Sequence, residues 1–297
     1  MHHDTSNQIV PTLDHVVGQT RAINVLRTAI DAYFFERSKA GEEKPFPHAL
    51  ITGPAGTGKT LLSEIVAREI ATNLHTELAQ NVKFAEHVHG LLMMLEPGDV
   101  LFLDEVHELP QIAQVALYRA LEERKLFLGK KQIITLPPFT LIGATTDEFL
   151  LTKSMRDRFR LSLRLSHYSE EEMAKLVLQR AKRLSWPIEE SAVTAIGVKS
   201  RGVPRLAIRL LESTKRVASA EGTENLTAVH VQQMCDMEGI DTLGFDEIEQ
   251  AYLRLLHEEE APVRLNVIAT HLGLPRRSIE AVIEADLIRL GLVTKTE

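Results

Sequence analysis

Short apolar runs alternate with longer amphipathic stretches through roughly the first 150 residues, and that alternation predicts strands separated by helices. Ala49 to Thr52, Val100 to Leu103 and Phe139 to Gly143 are compact β-rich runs bounded by Gly, Pro or charge. Leu161 to Leu165 alternates apolar with polar positions and reads as a last strand. Strands and helices of these lengths predict a mostly parallel sheet covered by helices. After Ser166 the pattern is helical only. Ser169 with Glu172 three residues on is a capping box that opens one helix. Pro204 suits the first turn of another that runs to about Ala220, and Thr227 caps a third. A break near Gly239 to Gly244 precedes three further helices: Asp246 to Glu259, Leu265 to Leu272 and, after a turn at Gly273, Pro275 to Leu290. That order predicts helix-turn-helix organisation with the last helix in the recognition position. The expected division is an α/β domain over 1–165, a helical domain over 166–243 and a small module over 244–297.

Composition narrows the class. The 297 residues include 44% hydrophobic ones, which excludes wholesale disorder. A single cysteine, Cys235, excludes an internal disulfide framework and a multi-cysteine zinc site, and fits a reducing compartment. No apolar run approaches the ~18 residues that span a bilayer, and Met1 to Gln8 lacks a signal-peptide core. A soluble cytoplasmic protein with no membrane partner is expected. The 34 basic residues against 41 acidic ones give a net charge of −7, which argues against a general nucleic-acid coat. His2-His3 and His87-Val88-His89 lack partners at metal-ligand spacing and read as solvated histidines. Leu91 to Leu95, with Met93 and Met94, reads as core.

Gly53-Pro54-Ala55-Gly56-Thr57-Gly58-Lys59-Thr60 fits the phosphate-loop pattern G-x-x-x-x-G-K-[ST], between a predicted strand and an amphipathic helix over Leu61 to Ala71. Gly53, Gly56 and Gly58 let backbone N–H groups turn inward around phosphate oxygens, and the helix N-terminus adds a favourable dipole. Lys59 is placed for the β- and γ-phosphates, and the Thr60 hydroxyl for Mg²⁺. Val100 to Leu103 ends in Asp104-Glu105, two carboxylates at the sheet edge where open parallel sheets bind ligands. Asp104 is expected in the Mg²⁺ shell with Thr60, and Glu105 as the base that polarises the attacking water. Thr145-Thr146 puts hydroxyls at the same edge. Arg156 and Arg158 in Ser154 to Phe159 could reach a γ-phosphate from a neighbouring subunit or form solvated charge pairs. Arg205 could reach the nucleotide from the helical domain or face water. ATP and Mg²⁺ are the expected cofactors.

These residues together resemble the AAA+ ATPases, and within them the RuvB motors of Holliday-junction branch migration. Val17-Gly18-Gln19, LFLDEVHEL (Leu101 to Leu109), LPPFTLIGATT (Leu136 to Thr146), Ser154 to Phe159 and RGVPRLAIRLL (Arg201 to Leu211) carry the likeness, which runs from about Ile9 to Val293. The resemblance implies a P-loop AAA+ domain with a parallel sheet, a helical lid domain and a C-terminal winged-helix-like module. It implies Thr146 as first sensor, Arg205 as second sensor, Tyr168 beside the nucleotide, and Arg158 as the finger acting in trans, with Arg156 its competitor. It also implies a homo-oligomer, a hexameric ring on duplex or four-way junction DNA, working with a RuvA-like junction-binding protein.

Three departures bear on that expectation. Val10-Pro11 stands where the family carries an Arg-Pro pair near the adenine. The segment between Glu123 and Leu136 is shorter than the family's partner-binding hairpin, so Lys125 to Thr135 is expected as a compact hairpin turning at Gly129-Lys130, which counts against the usual partner. The family continues into a basic wing, whereas one strand's length follows Gly291 here. From Gly244 onward six basic residues meet ten acidic ones, a net −4 that suits phosphate binding poorly, although Arg276 and Arg277 head the recognition helix. Two readings besides a DNA motor stay open: a RuvB-like ATPase that remodels a protein partner, and an ATP-dependent assembly switch.

Overall fold

The computed structural model describes residues 12–40, 44–128, 132–259 and 261–295. The chain forms two compact bodies, Met1–Leu176 with Gly202–Leu206, and Val177–Arg201 with Ala207–Glu297. Among the described residues no helix is long and apolar enough to cross a membrane.

The first body runs α1 (Thr20–Ala40), β1 (Ala49–Thr52), α2 (Lys59–Glu69), β2 (Leu74–Leu78), α3 (Ala85–Met93), β3 (Val100–Asp104), α4 (Gln111–Glu123), β4 (Lys125–Leu128), β5 (Gln132–Thr135), β6 (Thr140–Thr145), α5 (Lys153–Arg156), β7 (Leu161–Arg164) and the start of α6 (Glu170–Arg183). Five strands form a parallel sheet in the order β2-β3-β6-β1-β7. β1 and β6 are buried at every position, as the interior strands of a helix-covered parallel sheet must be. Alternation along β3 serves both faces. Leu101 and Leu103 pack with α3 and α4 against Leu50 and Leu141, while Val100 and Phe102 pack with α1 and α2 against Ile51 and Ile142. The sheet therefore separates two apolar layers, and strand C-termini at one edge are left for chemistry.

The four predicted strands form, with small shifts: β3 extends to Asp104, β6 covers Thr140–Thr145, and β7 ends at Arg164. The helix after the phosphate loop begins at Lys59, inside the motif, and ends at Glu69. β4 and β5 pair antiparallel as a separate compact hairpin, with Leu126 opposite Ile134. Its expected turn at Gly129-Lys130 lies outside the described residues, as do Val10-Pro11 and His2-His3. The Leu91 to Leu95 reading needs correction. Leu92 and Leu95 are buried, but Met93 and Met94 are 52% and 60% exposed at the end of α3. His87 accepts the Lys83 N–H at Nδ1, 3.2 Å away, a local bond that fixes the turn into α3.

The second body contains α7 (Glu190–Lys199), most of α8 (Pro204–Ala220), α9 (Ala228–Glu238), α10 (Glu247–Glu258), α11 (Leu265–Leu272), α12 (Arg276–Ser278), a π-helical segment Ile279–Glu284 and α13 (Ala285–Arg289). The capping residues act as expected. The Ser169 hydroxyl accepts the Glu172 N–H at 3.2 Å, and Thr227 caps α9. Asp246 accepts the N–H groups of Ile248 and Glu249 at the head of α10. Tyr252, Leu255, Ile268, Ile279, Ile283 and Leu287 bring the last helices onto one small core with Phe245. The helix expected over Pro275 to Leu290 is one rod interrupted by π-helical turns. Ile279, Ile283 and Leu287, four residues apart, all face that core. No strand follows Gly291 among the described residues.

Candidate active site

The phosphate loop leaves β1 at Gly53, where the backbone has φ +149° and a Cβ would stand 2.6 Å from the Leu165 carbonyl oxygen. Only glycine fits there, so the loop is wedged against the end of β7. Gly56 and Gly58 also have positive φ, and Gly58 leads directly into α2. The Lys59 ammonium folds back to donate to the carbonyls of Gly53 at 2.8 Å and Pro54 at 3.1 Å. Burial lowers its pKa, the Glu105 and Asp104 carboxylates act in the opposite sense, and Arg205 adds to the lowering. A loop whose lysine closes on its own carbonyls is held open around its backbone N–H groups, which is the geometry an anionic phosphate requires.

β6 lies between β1 and β3, so its C-terminal hydroxyls fall between the loop and the carboxylates. The Thr60 hydroxyl donates to Asp104 at 3.3 Å. Glu105 has a left-handed backbone, φ 47° and ψ 51°, which turns its side chain away from the line of the strand. Its Oε2 accepts the Thr146 N–H at 3.1 Å and the Thr146 hydroxyl at 3.3 Å. The structure thus brings together Lys59, Thr60, Asp104, Glu105 and Thr146 from three parallel strand ends.

His107 was not singled out from sequence, yet it is the hub of the neighbouring polar contacts. Its Nδ1 is 2.8 Å from the Thr145 hydroxyl and 3.3 Å from Glu105 Oε2. Its other nitrogen stands 3.4 Å from Glu108. The available signal was a polar residue three positions after Asp104, in a short turn that otherwise buries Val106.

Tyr168 and Arg205 reach the loop from residues of the same body. The Tyr168 hydroxyl donates to the Thr57 carbonyl at 3.1 Å, and burial raises its pKa. The Arg205 N–H donates to the Gly56 carbonyl at 3.2 Å, and its side chain packs beside Gly56. Gln19 brackets Ser166, donating to its carbonyl at 2.8 Å and accepting its N–H at 3.1 Å, which anchors the segment leading to Tyr168. The two other arginines make different contacts. Arg158 pairs with Glu122 of α4 at 2.8 Å, and Arg156 lies over the Phe149 ring at 5.5 Å. Buried Gln114 sets the segment that carries them, donating to the Leu109 carbonyl and accepting the N–H of Thr152, the α5 cap. Arg276 and Arg277 are exposed at the first turn of α12.

A five-stranded parallel sheet that inserts a hydroxyl-bearing strand between the phosphate loop and its acidic partner strand defines an AAA+ P-loop ATPase. Comparison with known proteins narrows that class. Three family models match nearly all of the chain: the Holliday junction DNA helicase RuvB P-loop domain over residues 10–165, the RuvB AAA lid domain over 168–241, and the RuvB C-terminal winged helix domain over 242–297. The Holliday junction branch migration complex subunit RuvB of Rubrobacter xylanophilus is 36% identical over 294 residues, covering 96% of this chain and 81% of that protein. The corresponding subunit of Ehrlichia ruminantium is 34% identical over 291 residues, 96% of this chain and 86% of that one. The solved RuvB Holliday junction branch migration motor of Thermotoga maritima matches with a TM-score of 0.84 at 32% identity, across 97% of this chain and 93% of the other. The chain belongs to the RuvB family.

Proposed function

We propose that the chain is an ATP-hydrolysing DNA motor that drives branch migration of four-way junctions as a ring of identical subunits, hexameric as the family resemblance implies. The observation that carries this reading is the convergence of Lys59, Thr60, Asp104, Glu105 and Thr146 at one sheet edge in a chain matched by RuvB models over nearly all of residues 10–297. The site residues suit a nucleotide with Mg²⁺: a lysine closed on loop carbonyls, and a hydroxyl beside a carboxylate. Bound there, the metal would supply charge neutralisation at the phosphate oxygens, with Thr60 and Asp104 holding it.

The chain's own groups do the rest. Lys59, the loop N–H groups and Arg205 hold the phosphates, with Tyr168 bracing the loop. Glu105 takes a proton from the attacking water as its oxygen bonds to the γ-phosphorus and the bond to the β–γ bridging oxygen breaks. Thr146 orients that carboxylate. Arg158, or Arg156, meets the γ-phosphate of a neighbouring subunit. Domains over 1–165, 166–243 and 244–297 are supported by the spans of the three family models. A RuvA-like partner is supported by the exposed Phe127 and Ile133 on the β4–β5 hairpin, and an ATP-dependent helicase activity by the description of the matching P-loop family model.

One observation favours the reading in which a protein is remodelled instead. The basic residues of the last module are partly consumed internally: Lys295 pairs with Glu284 at 2.8 Å, and Arg289 with Asp286. The ATPase rate of the full chain with and without four-way junction DNA, followed across added salt, separates the two. The motor reading expects stimulation at low salt that falls steeply as salt rises. A rate indifferent to DNA at low salt favours the protein substrate.

A further inference from the structure

The turn between α7 and α8 is clamped at both ends. Arg201 ends the first segment of the second body, Val177–Arg201, and Gly202–Leu206 belongs to the first body. On its own side, the Arg201 guanidinium is nearly enclosed. Nη1 donates to Glu249 of α10 at 2.8 Å and stands 3.0 Å from Asp286 of α13, and the group lies over the Phe245 ring at 4.8 Å. Arg289 of α13 adds a bond to the Arg201 carbonyl at 3.2 Å while also pairing with Asp286. Phe245, Glu249, Asp286 and Arg289 all lie within the 242–297 span matched by the winged helix model.

The next residues are fixed to the nucleotide site. Gly202 has φ +75°, and a Cβ there would stand 2.5 Å from the Tyr168 carbonyl oxygen. Its own carbonyl accepts the Tyr168 N–H at 3.0 Å, and Tyr168 and Arg205 bond the phosphate loop at Thr57 and Gly56. Arg201 itself has φ +51°, a conformation that a bulky side chain adopts only when its surroundings enforce it. The ion pairs with Glu249 and Asp286 supply that enforcement. Arg201, held by α10 and α13, is followed directly by Gly202, held by Tyr168, and three residues further on by Arg205.

We propose that Arg201 is a positioning residue for ATP turnover, tying the winged-helix module to Arg205 through this turn, so that the state of the module sets where Arg205 stands at the phosphates. This rests on the reading of Arg205 as a phosphate-contacting residue.

The test is steady-state ATPase on the full chain without DNA, reading KM and kcat together with thermal unfolding. Arg201→Gln should lower kcat about 10-fold while KM for ATP changes less than about twofold, because the binding loop is untouched. Arg201→Lys, which keeps the charge, should recover part of the loss. Arg205→Ala should be slow in itself, and the Arg201→Gln/Arg205→Ala pair should be no slower than Arg205→Ala alone. A normal Arg205→Ala would refute the reading of Arg205 and the coupling with it. A slow Arg205→Ala beside a normal Arg201→Gln, or a double variant whose losses multiply, would overturn the Arg201 proposal alone. Should Arg201→Gln fail to fold, Glu249→Gln and Asp286→Asn each break one pair. Both should lower kcat with KM held, and normal kcat in both would overturn it.

Discussion

Glu105 holds its carboxylate from a left-handed backbone, which costs a non-glycine residue about 1 kcal/mol or more. The bonds from the Thr146 N–H and hydroxyl, with His107 alongside, keep it there. Asp104, Glu105, Thr146 and the whole phosphate loop were legible in sequence because motif spacing on predicted strand ends is enough to place them. His107 was not, since its role depends on β6 delivering Thr145 beside it. His48 makes a separate case. Burial, reinforced by Arg160, lowers its pKa from 6.5 to about 4, and its Nδ1 accepts the Leu141 N–H at 2.9 Å. It is neutral when folded and takes a proton below about 6.5 when unfolded. Its stabilising contribution is therefore complete above that pH and is lost as pH falls toward 4, a change on the order of 3 kcal/mol. Unfolding in denaturant at several pH values should show wild type losing stability over that window more steeply than His48→Asn. Parallel profiles would contradict the assignment.

Strands were read well where burial leaves an apolar run or, as in the edge strand β7, a clean alternation, and poorly where neither is present. β1, β3 and β6 carry mostly apolar runs buried on both faces and were plain in the sequence. β2, at the sheet edge, carries His75 and Glu77 on a half-exposed strand and offers no such run. The last helix was legible as a span, but its π-helical turns carry no local signal in the sequence. Near α5 the element scale decides which way chemistry points. Arg158 follows that helix and is drawn to Glu122 of α4 instead of its own phosphate loop. The proposed role of Arg158 as a finger for a neighbouring subunit is open to a mixing experiment. Subunits carrying Arg158→Ala, which keep the phosphate loop but lack the finger, mixed with subunits carrying Lys59→Ala, which keep the finger, should regain part of the ATPase rate, because one interface type keeps both groups. No rescue at any mixing ratio would count against action in trans.

At the scale of the whole molecule, the net charge of −7 excluded less than it first suggested. A ring can hold DNA through a few cations on one surface whatever its total charge. The informative figure is the −4 after Gly244, where the structure further pairs Lys295 and Arg289 with acidic neighbours. Family membership was readable from long motif stretches. Whether the last module still meets DNA was not, because it depends on which cations remain unpaired after folding. The motor claim is tested most directly by following a synthetic four-way junction of mobile sequence, with ATP and Mg²⁺, in the presence of the full chain. Wild type should convert the junction to its duplex products, while Glu105→Gln, which retains the nucleotide-binding loop, should bind ATP yet convert the junction at least about 100-fold more slowly. Equal conversion by both proteins, or none by wild type alone or with a RuvA-type partner, would contradict the account.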